Sequence, residues 1–156
     1  MNHSKIHWLV LVLLVCVGGG AFSQDVTLDQ ARAELQAGRD RIIRQELQLS
    51  DEELAEFWPI YQEYVARLGL VRDRKATLIR RFVEAYDQGE FSDEFAEWII
   101  SENFAIKHAW AGMQEDFLPR FRQVLPVQKV ARFYQLENKL DAEVDARLAL
   151  VIPLVE

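Results

Sequence analysis

At 156 residues with a formal charge of −7, the chain is an acidic protein the size of one domain, and an acidic balance excludes the basic footprint that nucleic-acid binding needs. A single cysteine, Cys16, excludes a disulfide framework. No long run alternates valine or isoleucine with polar residues, so strands have little support.

The chain opens MNHSKIH, with Lys5, followed by the apolar run WLVLVLLVCV at 8–17 and then GGGAFSQ. A positive end, a short apolar core and small residues form the pattern of a secretory signal peptide. The rival reading, a membrane anchor, needs about 18 apolar residues, and this run stops sooner at the glycines. Ala21 and Ser23 place the expected cut before Gln24. A mature chain of 24–156 follows, expected to be a single all-helical domain in the periplasm, without cysteine and with 17 basic against 25 acidic residues.

Helix signals then come in order. TLDQ at 27–30 reads as a capping box that opens a first helix ending near Leu47. SDEE at 50–53 is a second capping box, with acids in the first turn where the helix dipole favours them. From it a stripe of Leu54, Phe57, Trp58, Tyr61, Val65, Leu68, Val71, Leu78, Phe82 and Tyr86 keeps one face apolar up to Gln88, before Gly89. Pro59 is expected to bend this helix or divide it. SDEF at 92–95 opens a third helix with Phe95, Trp98, Ile99, Ile106, Trp110, Met113 and Phe117 on its face, expected to stop or kink at Pro119. Pro126 suits the first position of a last helix, whose face carries Val130, Phe133, Leu136, Leu140, Val144 and Leu148. The fold expected is all-α: four helices, two of them long, forming an antiparallel bent helical hairpin or bundle.

Two of these helix starts share a pattern. Leu49, Ala55, Phe57 and Trp58 match Leu125, Ala131, Phe133 and Tyr134 at an offset of 76 residues. A leucine just outside each helix can staple back onto it, and the aromatics can fix the angle of entry, so symmetrical packing is the simplest reading. The repeat resembles the twice-used LTxxQ motif of the Spy and CpxP group of small exported helical proteins; here the sites read LSDEE (49–53) and LPVQK (125–129). The resemblance covers about 47–142 and implies a bent helical hairpin paired into an antiparallel homodimer. It also implies either ATP-independent holding of unfolded proteins in the periplasm or regulation of envelope-stress signalling through a membrane sensor. Some relatives sense metals.

Catalysis has little to work with. The mature chain has one histidine, His108, and its neighbours one helical turn away are Phe104, Ala105, Ala111 and Gly112, so no carboxylate stands there to orient it or share a metal. No nucleophile motif, phosphate-cradling glycine loop or cofactor motif is present, and the chain reads as a non-enzyme. The feature that can carry binding is RDRKATLIRRF at 72–82, where Arg72, Arg74, Lys75, Arg80 and Arg81 surround Leu78, Ile79 and Phe82. Cations beside an apolar surface would steer clients in and hold them, and Arg39, Arg41 and Arg44 are candidates to extend the patch. The simpler reading is a solvated helix face paired to acids such as Asp73 or Glu84. The leading expectation is a chaperone-like protein that holds unfolded or partly folded envelope proteins. The alternatives are a stress-response regulator that docks on a membrane sensor, and a metal-binding protein.

Overall fold

The computed structural model describes residues 21–154. Among them the chain forms four helices and no strand: α1 (Ala21–Leu47), α2 (Asp51–Gln88), α3 (Asp93–Val124) and α4 (Val127–Val151). None of these is long and apolar enough to cross a membrane. The segment read as a secretory signal lies almost wholly outside the described residues.

Local chemistry sets most of the helix ends. Ser50 is extended, at φ −67° and ψ 166°; its Oγ accepts from the Glu53 N–H at 3.2 Å, and the Glu53 carboxylate accepts from the Ser50 N–H at 2.8 Å. That is the capping box expected from the sequence. Gly89 closes α2 in the left-handed region at φ 68°, where a Cβ would be strained. Ser92 opens α3 by accepting from the Phe95 N–H at 3.2 Å. Pro126 stands one place earlier than expected, as the cap of α4 and not its first helical residue. Its ψ of 145° is extended, and its carbonyl accepts from the Lys129 and Val130 N–H groups.

Two expectations are corrected. TLDQ at 27–30 does not open a helix, because the backbone is already helical at Ala21. The preceding AFSQDV holds no glycine or proline, and extending an existing helix is easier than paying for a new nucleus at Thr27. Pro119 does not end α3, which continues to Val124. Nor does Pro59 divide α2. Both prolines stand between buried aromatics, Phe57 and Tyr61 in one case, Phe117 and Phe121 in the other. A mid-helix proline costs ~3 kcal/mol, and burying each aromatic contributes ~1.5–3 kcal/mol, so packing on either side holds the helix through the defect.

The contacts gather into two compact units. One takes residues 21–48 with Arg132–Asp145; the other takes Leu49–Ala131 with residues 146–154. In the larger unit α2 and α3 run antiparallel, with Phe57 against Phe121 at 5.4 Å between centroids and Tyr64 edge-on to Phe117 at 5.5 Å. Leu68, Leu78, Phe82, Ile106 and Met113 continue the core along the pair. Tyr64 and Phe121, both fully buried, were absent from the stripes expected from sequence. Phe121 lies beyond the proline where α3 was expected to stop or kink, and Tyr64 sits one residue before Val65, which is only half-buried.

In the smaller unit Ile43, Leu47 and Phe133 are buried, and so is Glu137, one turn beyond Phe133. The expected apolar line put Leu136 there, which is only half-buried. Glu137 is accommodated because Arg39 of α1 donates to its carboxylate at 3.0 Å and also pairs with Asp141 at 3.1 Å, and a buried charge requires such a partner.

Replacing Phe57 or Phe133 by Ala is expected to lower the free energy of unfolding by ~3–5 kcal/mol, read as a shift in the urea midpoint. An unchanged midpoint for either would show that its ring is not part of a core.

Candidate functional site

The basic segment 72–82 lies on α2, and helical geometry distributes its side chains around the axis. Leu78 and Phe82 face the core. Arg74 and Arg81, seven residues apart, share one flank. Arg74 makes a two-pronged pair with Glu102 of α3, its Nη2 reaching Oε2 at 2.7 Å. The Arg81 guanidinium lies over the Trp98 ring, 4.0 Å from its centroid. Arg72 lies 5.8 Å from the centroid of Trp110. Arg80 is exposed and pairs at long range with Glu84, at 4.0 Å, while Lys75 is half-buried. Arg72, Arg74 and Arg81 are therefore engaged with α3, and the acid facing Arg74 is Glu102, not the local Asp73 or Glu84.

The same flank carries two more cross-helix pairs, Glu63 with Arg120 at 2.8 Å and Arg67 with Asp116 at 3.5 Å. Positions 63, 67, 74 and 81 recur at spacings of four and seven, which return to one side of a helix. Hydrogen bonding to Arg120 holds the Glu63 carboxyl below its ordinary range, and hydrogen bonding to Arg74 does the same for Glu102.

Beside this edge lies an open groove of about 390 Å³. Leu78, Ile79 and Phe82 of α2 form one wall, Ile99, Ile100, Asn103 and Phe104 of α3 the other, and Ile152, just past α4, stands at it too. Ile100 is 53% exposed and Phe104 55%, large values for apolar side chains that share one groove. No titratable side chain lines it, so it offers no acid, base or nucleophile. It can bury apolar side chains, with Asn103 as a single polar contact. Sequence reasoning named Leu78, Ile79 and Phe82 as a candidate binding surface and Ile99 as part of the apolar face of α3, but gave Ile100 and Phe104 no part in a site. Their i, i+4 spacing on α3, just off the main apolar face, was the available signal. A second open groove, of about 360 Å³, is lined by Arg67, Leu70, Val71, Ala109, Gly112, Met113 and Asp116, with ionic groups among its walls.

The repeated helix starts occupy equivalent environments. Phe57 and Phe133 are both fully buried, Trp58 and Tyr134 are both half-buried, and Ala55 and Ala131 are both exposed. Leu125 is buried and Leu49 half-buried. The fifth positions of the two motifs, Glu53 and Lys129, meet in a hydrogen-bonded ion pair at 2.5 Å. That bond, followed by the one from the Ser50 N–H, holds the Glu53 carboxyl below its ordinary value.

Elsewhere, Arg39 pairs with the Glu137 and Asp141 carboxylates, and Arg41 and Arg44 are exposed. Burial, and secondarily the Glu137 charge, pushes the Tyr134 phenol up to about 12. His108 is exposed, and among the described residues no group of three metal-ligating side chains comes together. No family model, curated protein or solved structure matches the chain.

The carboxyls of Glu53, Glu63 and Glu102 are depressed in the folded state. Their contribution to stability is therefore whole above the ordinary value of 4.5 and lost as pH falls through their lower folded values. The urea midpoint should decline below pH 4.5, and Glu102→Gln should flatten that decline. An acid limb as steep in the variant as in the parent would remove Glu102 from the account. Tyr134 works in the opposite direction: its contribution is whole below pH 10 and is lost towards 12, so Tyr134→Phe should remove one tyrosine's worth of the late absorbance rise at about 295 nm and lessen the loss of stability above pH 10.

Proposed function

We propose that the chain is an exported, non-enzymatic binding protein that holds exposed apolar segments of unfolded or partly folded envelope proteins without a nucleotide, working in the periplasm as a homodimer. The observation that carries this reading is the uncharged groove between α2 and α3, where Ile100 and Phe104 remain more than half exposed beside the nearly buried Leu78 and Phe82. Apolar side chains gathered in one open groove gain by covering one another, and an extended apolar segment supplies such cover without demanding a fixed sequence. Export is supported by the positive, apolar and small-residue order of the first 23 residues, and holding by the likeness of 49–53 and 125–129 to the LTxxQ sites.

The cations take a narrower part than the sequence suggests. Arg74 and Arg81 tie α2 to α3, which leaves Arg80 as the cation of the segment with the least structural work. In this reading apolar contact supplies the holding, and charge contributes mainly to the rate of encounter.

The test is light scattering from a chemically unfolded client diluted into buffer with and without residues 24–156, in the absence of ATP. Suppression is expected near equimolar protein, with Phe104→Glu or Ile100→Glu removing most of it and Arg80→Glu changing little. Helical circular dichroism should stay constant, because positions 100 and 104 are exposed. Suppression that survives both groove substitutions would sink the assignment of the groove, and no suppression with any of several clients would sink the holding function.

A further inference from the structure

One end of the groove is lined by the chain that leaves α4. α4 ends at Val151, and Ile152 follows with extended backbone at φ −83° and ψ 119°, its N–H still donating to the Leu148 carbonyl at 3.0 Å. Pro153 enforces that departure, since the residue before a proline is pushed out of the helical region and proline itself cannot extend the ladder. Helix end and groove coincide, so Ile152 lines the groove together with Leu78, Phe82 and Phe104.

The surrounding segment has the composition of what such a groove would take. The sequence LALVIPLV at 148–155 carries no charge, in a chain otherwise rich in charged residues. It is also lightly anchored: Leu150 on one side of Ile152 is 85% exposed and Leu154 on the other is 87% exposed, so neither flanking leucine is packed. Leu148, Ile152 and Pro153 are half-buried and none of them belongs to the buried core, and a segment anchored that lightly belongs to the low-stability end of local opening.

We propose that the segment around Ile152 is a built-in competitor for the groove, which a client segment must displace. This rests on the reading of the groove as a holding site. Groove and segment lie in the same compact unit, so the competition is intramolecular. Its consequence is a threshold: only the fraction of molecules whose segment has lifted can bind, and the apparent affinity falls by that fraction. Short or weakly apolar stretches are thereby rejected, while a longer apolar segment displaces the competitor. The segment covers part of the groove when no client is present, which limits exposed apolar area.

The experiment uses the full chain and a fluorescein-labelled peptide of residues 148–156, LALVIPLVE, followed by anisotropy. Ile152→Asn keeps the length and charge of the chain and alters a side chain outside the buried core. The peptide is expected to bind the Ile152→Asn chain roughly tenfold more tightly than the parent, as lifting a competitor that blocks about nine molecules in ten would give. Adding Phe104→Gln to Ile152→Asn should abolish that binding. Equal affinity for parent and Ile152→Asn chains would overturn the competitor and leave the groove as a holding site. Binding unaffected by Phe104→Gln would place the peptide outside the groove and overturn the proposal on that ground. No binding to either chain would remove both the competitor and the holding reading beneath it. Sedimentation of the two chains completes the test, because loss of a dimer on Ile152→Asn would place the segment in a second copy's groove and overturn the intramolecular form.

Discussion

Five aromatic rings, Phe57, Tyr61, Tyr64, Phe117 and Phe121, hold α2 and α3 together at the end of the pair where each helix also contains a proline. The rings are buried and lie within about 5.4–6.4 Å of one another along the cluster. Each proline removes one backbone donor and crowds the preceding turn, yet both helices continue, because the aromatics on either side would lose their burial if the chain turned away. The rest of the larger unit depends on this. With α2 and α3 continuous over 38 and 32 residues, their far halves come alongside each other, and only then can Leu78 and Phe82 face Ile99 and Phe104.

Charge organises the flank of the same pair. Glu63, Arg67, Arg74 and Arg81 fall on one side of α2 and find Arg120, Asp116, Glu102 and Trp98 on α3. Exposed ion pairs contribute little individually, and their larger effect is to fix register, since a shift of one helical turn would oppose the wrong groups. Cations used in this way are unavailable as a free basic surface. The division leaves an edge that is charged and paired beside a groove that is apolar and uncharged, which suits holding by contact area.

The repeated helix start is foremost a structural device. Both copies place a cap, a buried phenylalanine and a half-buried second aromatic at the same distances from the helix end. The copies differ at their fifth positions, and there the difference is complementary, because Glu53 and Lys129 form an ion pair that two identical side chains of either charge would forbid. The helix starts of α2 and α4 are thereby tied together inside one unit.

Much of this could be read from the residues alone. Helix starts at Ser50 and Ser92, the stop at Gly89 and the all-helical class follow from interactions a few residues long, which sequence records directly. Of the stop or kink expected at Pro119, the stop did not occur, because a proline's cost is local while the burial that offsets it comes from a partner helix. Glu137 was invisible as a core residue for the same reason: its burial requires Arg39, 98 positions away. Leu78 and Phe82 stood out as apolar residues among cations, but the groove did not, since Ile100 and Phe104 acquire meaning only when α3 lies antiparallel beside α2. The sequence by itself determined where helices begin and which faces are apolar, because caps and periodicity act within a turn or two. Which cations are paired, which proline is tolerated and which apolar side chains remain open were decided by the tertiary structure alone, because each depends on what another helix brings to the same place.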